Sequence, residues 1–314
     1  MRTGVLHEKP ANYTFKARAY KTAIDACQAL SIPITSVEDV KGLPGIGEKI
    51  LEKITEIITT GTLAAANRVE QRIDLPSLKL FEGVHGIGPV KAKQLVDAGY
   101  KTIKDLGKAT TPKLFTAAQT LGLKHYEAGL QRIPRSEMIT FESQLLSHVP
   151  AHLTGILTGS YRRGASSSGD IDMLLKGNGS SEDLTAFATF VACLKSTGLI
   201  VDQLISGPKK WMGYAQLPGG LARRLDLMLT PPEEYAYAIL YFTGSDKFNV
   251  AFRNHCLSLH YSLNEHTLSV DPKWKGTVPP SAPPMTKEED IFAFVGLQYI
   301  EPTARVDGAQ IIKL

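Results

Sequence analysis

Apolar residues recur at three- and four-residue spacing through Phe15–Leu30 and again through Ile46–Ile58, the signature of amphipathic helices. Beyond residue 150 the period changes. Short apolar runs at 154–158, 170–175, 200–205, 213–217 and 224–230 read as strands, with a helix predicted at 183–196. In that helix Leu184, Phe187, Ala188 and Val191 share one face, expected to be core. Thr230-Pro231-Pro232-Glu233 and Thr286-Lys287-Glu288-Glu289 have the form of capping boxes and are expected to open helices. The Pro-rich stretch Asp271–Met285 is predicted to be a surface loop, and 73–80 (with Pro76) and 131–136 (with Pro134) to be junctions.

The helical part contains a repeat. Leu43-Pro44-Gly45-Ile46-Gly47-Glu48-Lys49 returns 41 residues later as Val84-His85-Gly86-Ile87-Gly88-Pro89-Val90-Lys91. In each copy an apolar residue precedes Gly-Ile-Gly and an amphipathic helix follows, with Pro89 placed for the first turn of the second helix. Glycines allow the tight turn, and free N–H groups at a helix start suit a phosphate. The plainer reading of one copy is a helix–helix turn; two copies, each followed by lysines (Lys49 and Lys53; Lys91 and Lys93), favour a nucleic-acid grip.

Among the strand-like segments, Gly159-Ser160-Tyr161-Arg162-Arg163-Gly164-Ala165-Ser166-Ser167-Ser168-Gly169-Asp170-Ile171-Asp172 carries the densest chemistry. Alternation along a strand sends Asp170 and Asp172 to one side, about 7 Å apart, and Ile171 into the core. Such a pair suits one or two hard divalent cations, and the Gly/Ser turn with Arg162 and Arg163 suits a polyphosphate. Asp226 stands alone in the apolar strand Arg223–Leu229. It either pairs with Arg224 or joins the first two acids at a metal. Together these features point to metal-assisted phosphoryl or nucleotidyl transfer.

The chain has 314 residues and a net charge of +4, enough for two or three folded units. Its charge is uneven. Residues 1–135 hold 20 Lys+Arg against 13 Asp+Glu, and residues 136–314 hold 15 against 18. A basic part that binds a polyanion beside an acidic part that processes it fits this split. Three separated cysteines, Cys27, Cys193 and Cys256, give no zinc spacing and suit a reducing compartment. No run is long enough to span a bilayer and no signal peptide is visible, so neither membrane nor secretion is expected. The closing Ile-Lys-Leu is too degenerate for a peroxisomal address.

Taken together, the tandem hairpins, Gly159–Asp172, Asp226, Tyr241-Phe242-Thr243-Gly244-Ser245 and Asn264-Glu265 closely resemble family X DNA polymerases, the polymerase beta group, from about Lys16 to Pro302. The resemblance implies a multidomain α and α+β fold. Its expected parts are a helical lyase-like domain with the first helix-hairpin-helix (1–72), a helical DNA-binding subdomain with the second (73–133), a mixed-sheet nucleotidyltransferase palm (134–241) and a small C-terminal α+β subdomain that selects the nucleotide (242–314).

By motif, Asp170 and Asp172 would each bind two Mg2+ ions, with Mn2+ as a substitute, and Asp226 the ion that activates the primer 3′-hydroxyl. Ser160, Arg163, Ser168 and Gly169 match triphosphate contacts. Tyr241-Phe242-Thr243-Gly244 reads as a turn set against the sugar, two core aromatics being the plainer reading. Asp246, Asn249 and Arg253 form a polar helix stripe that faces either a cleft or solvent; in the family these positions check the nucleotide and template. Glu265 matches a residue that helps hold the closed state. Backbone carbonyls near Lys41, Leu43 and Ile46, and near Glu82, Val84 and Ile87, match sites for a monovalent cation, Na+ or K+. The DNA contacts implied are Lys16, Tyr20, Gly45, Gly47, Lys49, Gly86, Gly88, Lys91, Arg224 and Arg253.

A second activity is implied for Lys53, a Schiff-base nucleophile toward a 5′-deoxyribose phosphate, with Lys16, Tyr20 and Lys41 around its pocket. Two exposed lysines beside Glu52 are the plainer reading. The chain also departs from the pattern. Phe15 stands where a histidine is usual and Ala65 where a lysine is, which thins the 5′-phosphate pocket. Met228 replaces an arginine linked to gating. The Gln216–Arg223 connection is short, as in lambda-type members, the N-terminus is expected to start slightly short, and no further domain is expected before the hairpins.

The expected function is template-directed, gap-filling DNA synthesis in base excision repair, with 5′-deoxyribose phosphate lyase activity and no proofreading. The substrates would be dNTPs and gapped or nicked duplex DNA; the chain would act as a monomer, with other repair proteins as partners. The nucleus or mitochondrion of a cell, or a viral origin, is compatible with this reading. The alternatives are an untemplated terminal nucleotidyltransferase and a DNA-binding scaffold or lyase with an inactive palm.

Overall fold

A computed structural model describes residues 10–30, 32–72, 74–108 and 114–314, and leaves the side chains of 10–16, 18 and 69–72 undescribed. The chain divides into two units, Met1–Tyr126 and Glu127–Leu314. The first is helical: α1 (Pro10–Gln28), α2 (Glu48–Thr60), α3 (Ala64–Arg72), α4 (Leu75–Glu82), α5 (Pro89–Asp97), α6 (Ile103–Gly107) and α7 (Ala117–Lys124). The expected junction at 73–80 is therefore mostly helix. Asp74 caps α4, its carboxylate accepting from the Ser77 N–H, and Pro76 sits in the first turn where its missing N–H costs nothing.

The repeat folds twice in the same way. Gly45 and Gly86 take positive φ of 79° and 83°, and Ile46 and Ile87 donate backbone N–H bonds of 3.0 Å to the Leu43 and Val84 carbonyls. Gly47 and Gly88 then cap α2 and α5 with no side-chain bond, and Pro89 opens α5. A Cβ on Gly45 would lie 3.0 Å from Thr22 and from the Ala23 nitrogen, so the turn needs glycine for contact with α1 as well as for its φ. Each hairpin has its own apolar seat. Ala23, Val40 and Ile46 are buried under the first, and Leu78, Phe81, Val84, Ile87 and Leu95 under the second.

The second unit is built on a mixed sheet of β2 (Thr154–Leu157), β4 (Ile171–Lys176), β7 (Ala222–Thr230), β6 (Lys210–Gln216) and β5 (Ile200–Ser206), in that order. Only β4 and β7 run parallel. A small pair, β1 (Ile133–Pro134) with β3 (Ser167–Ser168), lies beside it. Period-2 alternation sorts the central strands. Ile171, Met173 and Leu175 of β4 and Leu225, Leu227 and Leu229 of β7 enter one core with α8 (Arg135–Leu146) and α10 (Asp183–Ser196). The opposite face carries Asp172, Leu174, Asp226 and Met228. There Leu174 and Met228 pack under α11 (Tyr235–Thr243), against Ala238, Ile239 and Phe242. Met228 is thus an apolar plug.

Three expectations shift. In α10 the buried residues are Asp183, Ala186, Phe187, Phe190, Val191 and Leu194, while Leu184 and Ala188 are exposed. Asp183 turns inward to accept the N–H groups of Asn178 and Gly179 at 3.3 and 2.9 Å, which rotates the stripe. Thr230 ends β7 rather than capping a helix, because α11 opens only at Tyr235 after Glu234. Tyr241–Thr243 is the last turn of α11, not a free turn, and Gly244 ends it with φ 68°. The helix at 288 does form, but its box pairs Thr286 with Asp290, whose carboxylate accepts from both Thr286 N–H and O–H at 2.9 Å.

The C-terminal part packs α12 (Asp246–Ser258) and α13 (Glu288–Phe294) with the hairpin β8 (Tyr261–Leu263) and β9 (Leu268–Val270) around Phe248, Phe252 and Phe292. Residues 271–285 form the expected irregular loop, anchored by buried Met285. Glu288, 4% exposed, bridges Arg162 (2.7 Å) and Arg305, which is fully buried among Phe248, Phe292 and Tyr299. Removing one partner of such a group strands a buried charge. Glu288→Ala is therefore expected to cost about 3–5 kcal/mol in urea unfolding, and Arg305→Met in the same chain to recover part of it. The exposed pair Lys93–Asp97 should be worth under about 1 kcal/mol.

Candidate active site

Parallel pairing of β4 with β7 places Asp172 beside Asp226. Asp170 lies one residue before β4, at an exposed bend. Between β2 and β3 the chain makes a single helical turn, α9 (Gly159–Arg162) in chain order between α8 and α10. Gly159 has φ 57°, and a Cβ there would meet the Asp172 carboxylate at 2.6 Å, so the turn approaches the acid as only glycine permits.

A cleft of about 690 Å³ opens here. Gly159, Ser160, Arg163, Asp170 and Asp172 line it from the sheet side. Tyr241, Phe242, Gly244, Asp246, Asn249 and Arg253 line it from α11 and α12. These predicted residues, scattered over 95 positions of sequence, thus share one cavity. Tyr241 and Phe242 meet edge to face, ring centroids 5.1 Å apart. Asn249 donates its amide to the Tyr241 carbonyl (2.7 Å), and Arg253 donates to the Leu263 carbonyl (2.7 Å) with its guanidinium 5.7 Å from the Tyr241 ring. The stripe 246/249/253 faces the cleft rather than solvent, and Tyr241 and Phe242 are wall residues rather than core.

Two consecutive arginines tie the walls together. Arg162 donates to the Thr243 hydroxyl and Arg163 to the Thr243 carbonyl, both at 2.6 Å. Ser168 is buried and accepts from the Ser160 hydroxyl at 3.0 Å, so it supports the turn from below instead of lining the cleft. Gly169 is exposed beside Asp170 and is not part of the lining. Arg224 is held inside the site: it donates to Asp226 at 2.7 Å, and its guanidinium lies 5.8 Å from the Tyr214 ring. The ion pair uses one of its amino groups, and Arg224 does not line the cleft. Sequence reasoning missed four further lining residues, Ser245, Lys247, Val250 and Val306. The helical period from Asp246 predicts Lys247 and Val250 on the adjoining stripe; nothing in the sequence signals Val306.

The carboxylates perturb one another. Burial, then the charges of Asp170 and Asp226, pushes the Asp172 carboxyl up to about 7. Asp170 is also raised, by desolvation and Asp226, although Arg224 and Arg132 oppose the shift. Among the described residues no three His, Cys, Asp or Glu side chains form a closed metal cage, and Asp226 is turned to Arg224. The donors fit an open oxygen site, two crowded acids with a third beside them, of the kind that a magnesium ion shares with substrate phosphates.

A second hollow, of about 550 Å³, lies in the helical unit. Ala19, Tyr20, Gly45, Gly47, Glu48, Lys49, Ile50 and Lys53 line it, and the Lys53 ammonium donates to the Lys49 carbonyl at 2.9 Å. Lys41 instead pairs with Glu38 at 3.1 Å. The side chains of Phe15 and Lys16 lie outside the described residues. At the second hairpin Lys91 leans over Phe115, 5.8 Å from the ring centroid. The Leu43 and Val84 carbonyls each already accept one N–H, and each keeps a lone pair.

Comparison with known proteins matches four family models along the chain. They are a helix-hairpin-helix domain at 5–63, the fingers domain of DNA polymerase lambda at 79–128, the DNA polymerase beta palm at 132–232 and the DNA polymerase beta thumb at 238–306. The chain is 32% identical to DNA polymerase lambda of Rattus norvegicus over 93% of its own length and 52% of that protein, and 31% identical to DNA polymerase lambda of Arabidopsis thaliana over 91% and 57%. It is 27% identical to a DNA nucleotidylexotransferase of Gallus gallus over 94% and 65%. The chain thus spans about half the length of the two lambda relatives.

The raised Asp172 pKa has a consequence for stability. A carboxyl whose folded pKa exceeds its unfolded value of ~3.9 stabilises the fold while protonated and loses that contribution as pH rises toward the folded pKa. Without divalent cations the protein should therefore lose stability between about pH 4 and 7. Asp172→Asn is expected to melt a few degrees higher than wild type at pH 7.5 in EDTA, with the difference shrinking at pH 5. Added Mg2+ should stabilise the wild type and leave the variant nearly unmoved in the same thermal melts.

Proposed function

Because the chain belongs to the family X DNA polymerases, we propose that it is a template-directed polymerase that fills short gaps in duplex DNA by transferring dNMP to a primer 3′-hydroxyl. One observation carries the reading: a single cleft is lined by Asp170 and Asp172, the Gly-Ser-Arg turn and the α11–α12 wall, with Asp226 paired to Asp172 on the neighbouring strand. Asp170, Asp172 and Asp226 would hold two divalent cations, Mg2+ or Mn2+. When bound, these supply the Lewis acidity that lowers the pKa of the attacking hydroxyl and neutralises the triphosphate.

The remaining work falls to the chain's own groups. Ser160 and Arg163, with the N–H groups of the 159–163 turn, take the triphosphate, and Gly169, outside the lining beside Asp170, would reach the same anion only through its exposed backbone. Tyr241, Phe242 and Gly244 set the sugar against backbone, which leaves little room for a 2′-hydroxyl. Asp246, Asn249 and Arg253 check the base pair and its minor groove. Asp226, now paired with Arg224, would hold the cation on the primer side. Gly45, Gly47 and Lys49, and Gly86, Gly88 and Lys91, grip phosphates of the duplex, each hairpin with a monovalent cation on its carbonyls.

In functional terms the parts run 1–72, 73–133, 134–241 and 242–314, for lyase, DNA binding, catalysis and nucleotide selection. The substrates are dNTPs and gapped or nicked DNA, in a compartment that holds DNA. Among the described residues no helix is long and apolar enough to cross a membrane. The hollow around Lys53 supports a second reaction, Schiff-base formation with a 5′-deoxyribose phosphate followed by β-elimination. The Lys53 amine must first leave the Lys49 carbonyl.

Two measurements test these readings. On a one-nucleotide gap with a 5′-phosphate, incorporation should follow the template base and exceed that on an open primer. Asp226→Ala should lower kcat by at least about a hundredfold. Indifferent extension of a lone single strand would instead make the chain a terminal transferase. Borohydride trapping on a 5′-deoxyribose phosphate substrate should vanish in Lys53→Ala while gap filling persists; trapping that survives would move the nucleophile elsewhere.

A further inference from the structure

The cleft holds three lining cations, and two are each anchored to a backbone carbonyl by one of their N–H groups. Arg163 donates to the Thr243 carbonyl and Arg253 to the Leu263 carbonyl. The third, Lys247, is exposed in the first turn of α12 and makes no hydrogen bond or ion pair with any described residue. Its charge is felt by Asp307, with which it forms no ion pair; the Asp307 Oδ1 accepts the Ala309 N–H at 2.8 Å and the Gln310 amide at 3.0 Å.

Local geometry sets Lys247 beside the predicted stripe. At 100° per residue, Asp246, Asn249 and Arg253 form one stripe, and Lys247 with Val250 forms the next. All five line the cleft. The far wall of this second stripe is the C-terminal segment. Ser245 donates its hydroxyl to the Val306 carbonyl at 2.6 Å, which holds Val306, 64% exposed, at the cleft edge. Lys247, Val250 and Val306 thus share one lining with the carboxylates Asp170, Asp172 and Asp246, and Lys247 is the lining cation on their α12 side that has no partner of its own among the described residues. An anion entering a cleft that holds three carboxylates is favoured where an uncommitted cation meets it.

We propose that Lys247 is a further substrate-binding residue, whose ammonium takes a phosphate oxygen at the α12 edge of the cleft. The phosphate belongs either to the incoming nucleotide or to the DNA strand beside it. This inference rests on the polymerase reading above. Neither the acid motif nor the 246/249/253 stripe includes the residue.

The test uses the full chain with Lys247→Ala and Lys247→Arg, and reads equilibrium binding. A fluorescent dNTP is titrated into the protein on a dideoxy-terminated one-nucleotide gap, and gapped DNA alone is titrated by anisotropy across salt. Loss of one charge-assisted hydrogen bond predicts about tenfold weaker binding in the alanine variant, largely recovered by arginine. Weaker dNTP binding alone assigns the phosphate to the nucleotide. Weaker DNA binding, with the log–log salt slope reduced by about one, assigns it to the strand. Both affinities within about twofold of wild type would overturn the inference and leave Lys247 a solvated lysine. A wild type that binds both ligands but incorporates nothing would instead remove the polymerase reading, and the binding comparison would still stand.

Discussion

Everything in the second unit depends on a repulsion the fold enforces. Asp172 and Asp226 are neighbours across a parallel strand pair, with Asp170 one residue before the first strand. Left to themselves, three carboxylates would separate. They stay because the opposite face of the same strands is apolar: Ile171, Met173 and Leu175 interleave with Leu225, Leu227 and Leu229 in one core. A slip of one residue would turn the acids inward and these six side chains outward, so burial fixes the register and the register fixes the charges. Arg224 pairs with Asp226 and eases the other two acids as well, yet Asp172 stays raised.

The cleft's other wall is tied to this one through two adjacent arginines. Arg162 and Arg163 both end on Thr243, one on the hydroxyl and one on the carbonyl. Arg162 also reaches Glu288, which is shared with the buried Arg305. The 159–163 turn and the last turn of α11 are therefore one piece of hydrogen-bonded structure. A displacement of the C-terminal part would be felt first at the turn beside Asp172.

Much of this was legible in the residues, where local rules decide the outcome. The Gly-Ile-Gly repeat has backbone requirements that sequence states directly, and both copies fold alike. Asp172 and Ile171 alternate as a strand demands, and the 246/249/253 stripe follows from the helical period. The failures have a common cause, namely specific partners that no periodic pattern announces. The face of α10 rotates because Asp183 accepts the N–H groups of Asn178 and Gly179. Of the two readings open for Asp226, a pair with Arg224 or a place at a metal, the structure shows the pair. Ser168 proved buried because Ser160 lies over it. Val306 joins the cleft only because Ser245 holds the C-terminal segment there; no local pattern encodes that contact.

The two hairpins share glycines and carbonyl bonds, but the residues after them differ: Glu48 and Lys49 in one, Pro89 and Val90 in the other. Neither helix start uses a side-chain cap. What is duplicated is thus a backbone conformation. Such a feature is invisible to most amino-acid replacements, and the flanking positions are free to drift so long as the glycines and the buried isoleucine persist. Over evolutionary time these segments would diverge in sequence far faster than the acid motif, where the geometry rests on the side chains themselves.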